Sequence, residues 1–260
     1  MLLTLDIGNS NIDLGVFAGE ALKMRAKLSA TAERSSDEFA AMLFNLLQIN
    51  HVDPAAVDGC MLGSVVPGLT GLVEEAVGRL FRVPLLRVGP GIKTGFRISI
   101  DDPSQLGADL VADTAAALAE YGAPLILVDA GTVTTIAAVD DRSTYLGGCI
   151  LPGIRSSAEL LKETTALLPS IALRPGGEEC LGRNSADAMR YGLLLGSGML
   201  VDGFIQRYQA LPRMEGAKVI ATGGSAKLVT AQCRSRIRHD PDLTLKGLRH
   251  LYQLNTVKKL

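Results

Sequence analysis

The chain has 260 residues, 47% of them hydrophobic and 20% charged, with 26 basic residues against 27 acidic and a formal net charge of -1. These proportions describe a globular protein of one large or two modest domains. No block of five or six like charges occurs, so neither a nucleic-acid footprint nor an anionic-membrane surface is indicated, and small molecules are the expected partners.

Cys60, Cys149, Cys180 and Cys233 form no CxxC pair, and His51, His239 and His250 add little material for a zinc site. A reduced chain in the cytoplasm is expected. The first apolar stretch lacks a cationic lead and contains Asp6, and no segment approaches eighteen uninterrupted apolar residues, so no membrane span is expected.

In chain order, residues 2–5 and 12–17 read as strands on either side of the polar turn DIGNSN. A helix follows: Ser35 and Glu38 have capping-box spacing, and Phe39, Met42, Leu43, Leu46 and Leu47 recur at helical period. Strands at 60–66 and 84–88 flank a helix near 70–82, a βαβ pattern that implies an α/β sheet. GPGIKTG at 89–95 misses dinucleotide glycine spacing and reads as a loop. After the loop DDPSQLGAD, a helix places Val111, Thr114, Ala115 and Leu118 on one face and stops at Gly122.

PLILVDAGTVTTIAAVD then repeats the opening. LLTLDIGNSNIDLGV and LILVDAGTVTTIAAV align with Asp6 over Asp129 and Gly8 over Gly131, about half the chain apart. That spacing suggests two similar domains, 1–116 and 117–260, each beginning with the same hairpin, where a shorter repeat would suggest a solenoid. A third glycine turn, VIATGGSAKL, leads from a strand into a helix, and Leu243, Leu245, Leu248 and Leu251 make the last segment a docked terminal helix.

A single Asp-x-Gly-Asn turn needs no more than turn chemistry to explain it. Its repetition together with TGG points to a nucleotide lying in a cleft between the domains. Asp6 cannot bind phosphate directly, but it can hold Mg²⁺ that meets the phosphates. Gly8 lets backbone N–H groups approach phosphate oxygens, and Asn9, Ser10 and Asn11 add short donors. Asp129, Gly131, Thr132, Thr134 and Thr135 form the second such turn, with Thr222, Gly223 and Gly224 on the nucleoside side. No Gly-Lys dipeptide occurs, which excludes a Walker A loop.

DIGNSN, LGAD (106–109), DAGTVTT (129–135), YLGGCILPGI (145–154), GRNSADAM (182–189), ATGG (221–224) and DPDLTLKGL (240–248) together resemble the actin-like phosphotransferase superfamily and, within it, the type III pantothenate kinase family. The resemblance runs nearly end to end. It implies two ribonuclease-H-like domains with mixed sheets and an interdomain nucleotide cleft. It also implies transfer of the ATP γ-phosphate to the primary hydroxyl of pantothenate, the first step toward coenzyme A. By resemblance, Asp109 is the base, Asp6 serves Mg-ATP, Asp129 holds a monovalent cation (K⁺ or NH₄⁺) and Thr132 meets ATP. Gly107, Ala108, Asp109 and Ser185 meet pantothenate, and a homodimer is expected.

Two positions depart from the family pattern. Leu110 stands where arginine usually follows GAD, and Ile100 where tyrosine usually precedes the turn before LGAD. Arginine is the planar cation suited to a carboxylate. A charge-assisted hydrogen bond is worth about 1.5–3 kcal/mol, so pantothenate affinity is expected to fall about ten- to a hundredfold or more, with Arg97 the nearest replacement in sequence. A kinase for a different, less anionic hydroxyl acceptor and a non-catalytic nucleotide-binding regulator therefore stand as alternatives.

Overall fold

The computed structural model describes residues 1–31, 33–174 and 180–256. Strands β1 (Leu2–Ile7), β2 (Asn11–Ala18) and β3 (Ala21–Ser29) form a meander, followed by α1 (Ser36–Ile49), β4 (Gly59–Ser64), α2 (Pro67–Leu80) and β5 (Leu85–Arg87). A short strand β6 (Arg97–Ile98) precedes α3 (Ala108–Tyr121), after which β7 (Leu125–Ala130), β8 (Val133–Val139) and β9 (Thr144–Pro152) make a second meander. Then come α4 (Ile154–Thr164), α5 (Ser185–Gln209), β10 (Lys218–Thr222), α6 (Ala226–Thr230), β11 (Ile237–His239) and α7 (Leu243–Thr256).

The chain divides into two units. The first takes Met1–Gly95, Asp102–Ala116 and α7, and the second takes Phe96–Asp101 and Ala117–Asp242. Compared with a single cut at 116, two segments are exchanged, for reasons of pairing and packing. Phe96–Asp101 joins the second unit because β6 pairs in parallel with β9, and α7 joins the first because its leucines bury against β1, β2 and β4.

In the first unit the sheet order is β3-β2-β1-β4-β5, antiparallel through the meander and parallel from β1 to β4 to β5. Leu3, Leu5 and Ile7 project from one face of β1 into a core with Phe39, Leu43 and Leu47 of α1 and Leu69, Val73 and Val77 of α2. Alternation puts Leu2 on the opposite face, where it meets Phe17 and Leu245 of α7. All four leucines expected to dock the last helix are buried; each contributes about 1.5–3 kcal/mol. Ser35 caps α1 through the expected capping box, and α2 begins on Pro67, whose fixed φ suits the first helical turn.

The β1–β2 ladder runs further than the sequence suggests: Asp6 pairs with Asp13 and Ile7 with Ile12, so Asp6 is a strand residue and not a turn residue. Strand β3 is also absent from the sequence reading. Its inward residues Leu22, Met24, Ala26 and Leu28 alternate with outward Lys23, Arg25 and Lys27, a period-2 pattern obscured by alanine and charge.

The second unit repeats the first. In its order β11-β10-β7-β8-β9-β6, the run from β9 to β11 reproduces the strand directions and neighbours of β3 to β5, with β6 added at the edge. Ile126, Val128, Ile136, Leu194, Val201 and Ile205 anchor its core. Gly122, at φ +70, ends α3 as expected. Strand β9 and helices α4 and α5 are further additions to the sequence reading. Glycine disguises two of them: β9 contains Gly147 and Gly148, and α5 contains Gly192, Gly196, Gly198 and Gly203.

Candidate active site

The first unit gathers its candidate residues at the C-terminal ends of β1 and β4. Asp6 lies beside Asp13 on β2 and Gly63 on β4. The Gly8 N–H donates to the Asn11 carbonyl at 2.9 Å, which closes a tight turn with Asn9 and Ser10 exposed at its tip. The Ala30 N–H holds the Ser10 carbonyl at 3.1 Å, and the Val65 N–H holds that of Ile7 at 3.1 Å. The turn is therefore fastened on both sides.

Gly63 creates the space around Asp6. A β-carbon there would stand 3.1 Å from a Leu248 methyl, 3.6 Å from Asp6 Oδ1 and 3.7 Å from the Ala108 methyl. Asp6 and the first residue of α3 thus close in on the same point. Asp13, opposite Asp6, is balanced by Lys27 at 3.2 Å and Arg25 at 3.9 Å.

Asp109 sits in the first turn of α3, where the helix dipole favours a carboxylate. Its Oδ1 accepts the Leu110 N–H at 2.7 Å and packs against Gly107, at a point that also faces Val65. Burial pushes its pKa above the ordinary 3.8, and the backbone N–H groups of Leu110 and Asp109 offset this in part. A half-buried carboxyl with a raised pKa is the kind of group that general-base chemistry uses.

The second unit builds a matching turn. Asp129 pairs with Thr135 on β8 and Thr222 on β10. The Gly131 N–H donates to the Val133 carbonyl at 2.9 Å, so this turn is one residue tighter than the first and presents Thr132 at its tip. Thr132 is exposed, whereas Thr134 is buried in the ladder. Gly223, at φ +95, fits against this turn: a β-carbon there would collide with Asp129 Oδ1 and stand 2.6 Å from the Ala130 carbonyl carbon. The Ser225 N–H donates to the Ala130 carbonyl at 2.8 Å, so the DAG and TGG turns form one assembly with Gly224 open beside it.

Several residues fall outside that assembly. Ser185 is exposed at the start of α5, after the N-cap Asn184, in the second unit, while Gly107, Ala108 and Asp109 belong to the first. Leu110 stays beside Asp109, but Ile100 packs near Gly147 and Arg97 is exposed on β6, both in the second unit. The GPGIKTG loop is pinned to α7 by a two-way pairing of Asn255 with the Lys93 backbone, N–H to Oδ1 at 2.9 Å and Nδ2 to carbonyl at 3.0 Å. Sequence alone assigns no role to Gly63, Gly153 or Ser156; the PG within YLGGCILPGI is the only signal near the last two.

The repeated sheet, with paired Asp-x-Gly turns at equivalent strand ends, defines the actin-like phosphotransferase class of α/β fold. A crystal structure of a 2-dehydro-3-deoxygalactonokinase candidate from Sinorhizobium meliloti shares this fold at a TM-score of 0.59 and 13% identity, over 100% of this chain and 98% of that one. A family model for type III pantothenate kinase matches residues 2–207. The chain is 39% identical over 256 residues to the type III pantothenate kinase of a Roseiflexus species, covering 98% of this chain and 99% of the relative. It is 40% identical over 262 residues to that of Geobacillus kaustophilus, covering 100% of both. The chain belongs to the type III pantothenate kinase family.

Proposed function

We propose that the chain transfers the γ-phosphate of ATP to the primary hydroxyl of pantothenate, giving 4'-phosphopantothenate, the first step of coenzyme A biosynthesis. The observation that carries this reading is the full-length match to relatives bearing that name, joined to a half-buried Asp109 of raised pKa. Asp109 accepts the proton of the attacking hydroxyl. Gly107 and Ala108 shape the acceptor's approach, and Ser185 donates a hydrogen bond to it. Gly8, Asn9, Ser10, Asn11, Gly131, Thr132, Thr134, Gly223 and Gly224 serve ATP. In-line transfer of this kind depends on positioning and charge stabilisation.

Mg²⁺ fits the residues in one way. Among the described residues no group of three or more acidic, histidine or cysteine side chains forms a protein cage, and Mg²⁺ carried on phosphates needs only one or two carboxylates, which Asp6 supplies. When bound, the ion screens phosphate charge. Asp129, whose carboxylate shares the space left open at Gly131 and Gly223 with the carbonyl oxygens of Val133 and Ala130, suits a monovalent cation (K⁺ or NH₄⁺). A homodimer is part of this reading, and it would cover apolar side chains of the second unit that are exposed in the single chain, such as Ile150 and Met199. Among the described residues no helix is long and apolar enough to cross a membrane, which is compatible with a cytoplasmic enzyme.

A kinase with a less anionic acceptor is the second reading, favoured by the apolar Leu110 and Val65 beside Asp109. Mass spectrometry after incubation with ATP, Mg²⁺, K⁺ and pantothenate up to high concentration is expected to show 4'-phosphopantothenate. Product only from a neutral analogue would move the assignment to the second reading, and ATP binding without any product would leave a regulator. Because the base must be ionised, kcat/KM is expected to fall as pH drops through the raised pKa of Asp109. An acid limb at or below the ordinary value of 3.8 would remove Asp109 from the base role.

A further inference from the structure

The turn between β7 and β8 is braced from outside. The carbonyl of Thr132 accepts two hydrogen bonds from the start of α4: the Gly153 N–H at 3.1 Å and the Ser156 hydroxyl at 2.9 Å. Gly153 is the N-cap of α4 and offers no side-chain cap, and the Ser156 hydroxyl donates to the turn. No side chain fits at Gly153, because a β-carbon would stand 2.5 Å from the carbonyl oxygens of both Gly131 and Thr132. The Ser157 N–H donates to the Gly153 carbonyl at 2.8 Å, and Ile154 is buried in the core of the unit, so the brace rests on a fixed base.

A one-residue turn has little freedom, and rotation of the Thr132–Val133 peptide plane is one way in which it can change. Two donors on the Thr132 carbonyl set that plane. We propose that Ser156 is a positioning residue for the phosphoryl donor: it fixes the β7–β8 turn so that the Gly131–Thr132 segment is presented to nucleotide phosphates without reorganisation on binding. This rests on the reading of Gly131 and Thr132 as nucleotide-binding. Ser156 itself touches neither substrate nor reacting atoms, and its effect falls on the donor alone.

Steady-state kinetics of Ser156→Ala, Ser156→Thr and Thr132→Ala, with ATP and the acceptor varied separately, test it. Ser156→Ala is expected to raise KM for ATP about three- to tenfold, the scale of one hydrogen bond, with kcat and the acceptor KM within twofold of the parent and only a small fall in Tm. Ser156→Thr, which keeps the hydroxyl, is expected to restore the parent KM. An unchanged ATP KM in Ser156→Ala beside a raised one in Thr132→Ala overturns the proposal while leaving the turn as the donor site. Unchanged ATP KM in both variants overturns the donor assignment and the proposal together. Equal increases in both KM values, or no rescue by threonine, would show a structural role only.

Discussion

Asp109→Asn is expected to lower kcat by about 10²–10⁴ while leaving ATP affinity near the parent value. That corresponds to about 2.7–5.4 kcal/mol of lost transition-state stabilisation. Asparagine matches aspartate in shape, and its side-chain oxygen can still accept the Leu110 N–H that now meets Oδ1. What it cannot do is take a proton. Burial already works against the ionised form of Asp109, so a neutral side chain relieves a cost that the enzyme bears at neutral pH. Thermal melting of the variant at pH 7 is accordingly expected at or slightly above the parent value. Turnover above a tenth of the parent would show that another group accepts the hydroxyl proton, and a fall in Tm would show that the carboxylate is structural.

Gly247→Ala is expected to cost about 3 kcal/mol or more of stability in chemical denaturation. Gly247 lies in α7 where it crosses α3, and a β-carbon there would fall on the carbonyl of Ala112 and stand 2.9 Å from its Cα. Backbone cannot rotate aside as a side chain does. The helix would have to lift, loosening Leu245, Leu248 and Leu251, all buried against the first sheet. Gly196 in α5 is the control: it is exposed and a β-carbon there meets nothing within 4 Å, so Gly196→Ala is expected to stabilise by about 0.5–1 kcal/mol. The same substitution thus carries opposite signs at two helical positions. A stabilising Gly247→Ala would mean that α7 does not pack on α3 at this distance.

The parts legible in the sequence are those whose signals are local. Asp6 over Asp129 and Gly8 over Gly131 stand out because hairpins and tight turns are specified within a few residues. The capping box at Ser35 and Glu38 is equally short-ranged. Strand β9 escapes because Gly147 and Gly148 weaken strand propensity, and Gly148 is required by contact with the Ile136 carbonyl on the neighbouring strand β8, which a propensity does not register. Helix α5 escapes for a related reason: Gly198 abuts the Gln232 backbone, so tertiary contact overrides helix propensity. The bracing of Thr132 by Ser156 joins residues of different elements, and no periodicity marks it. Which unit α7 completes is likewise a long-range choice.

That choice orders events during synthesis. The strands of the first sheet are all made by Arg87, yet the face holding Leu2 and Phe17 waits for Leu245, which the ribosome adds on the order of ten seconds later. The second unit needs only Phe96–Asp101 and the continuous stretch Ala117–Asp242, all of it emerged before α7. The half of the protein that is begun first is therefore finished last, and a released chain truncated just before Leu243 would hold every segment of the second unit while the first sheet kept one apolar face wet.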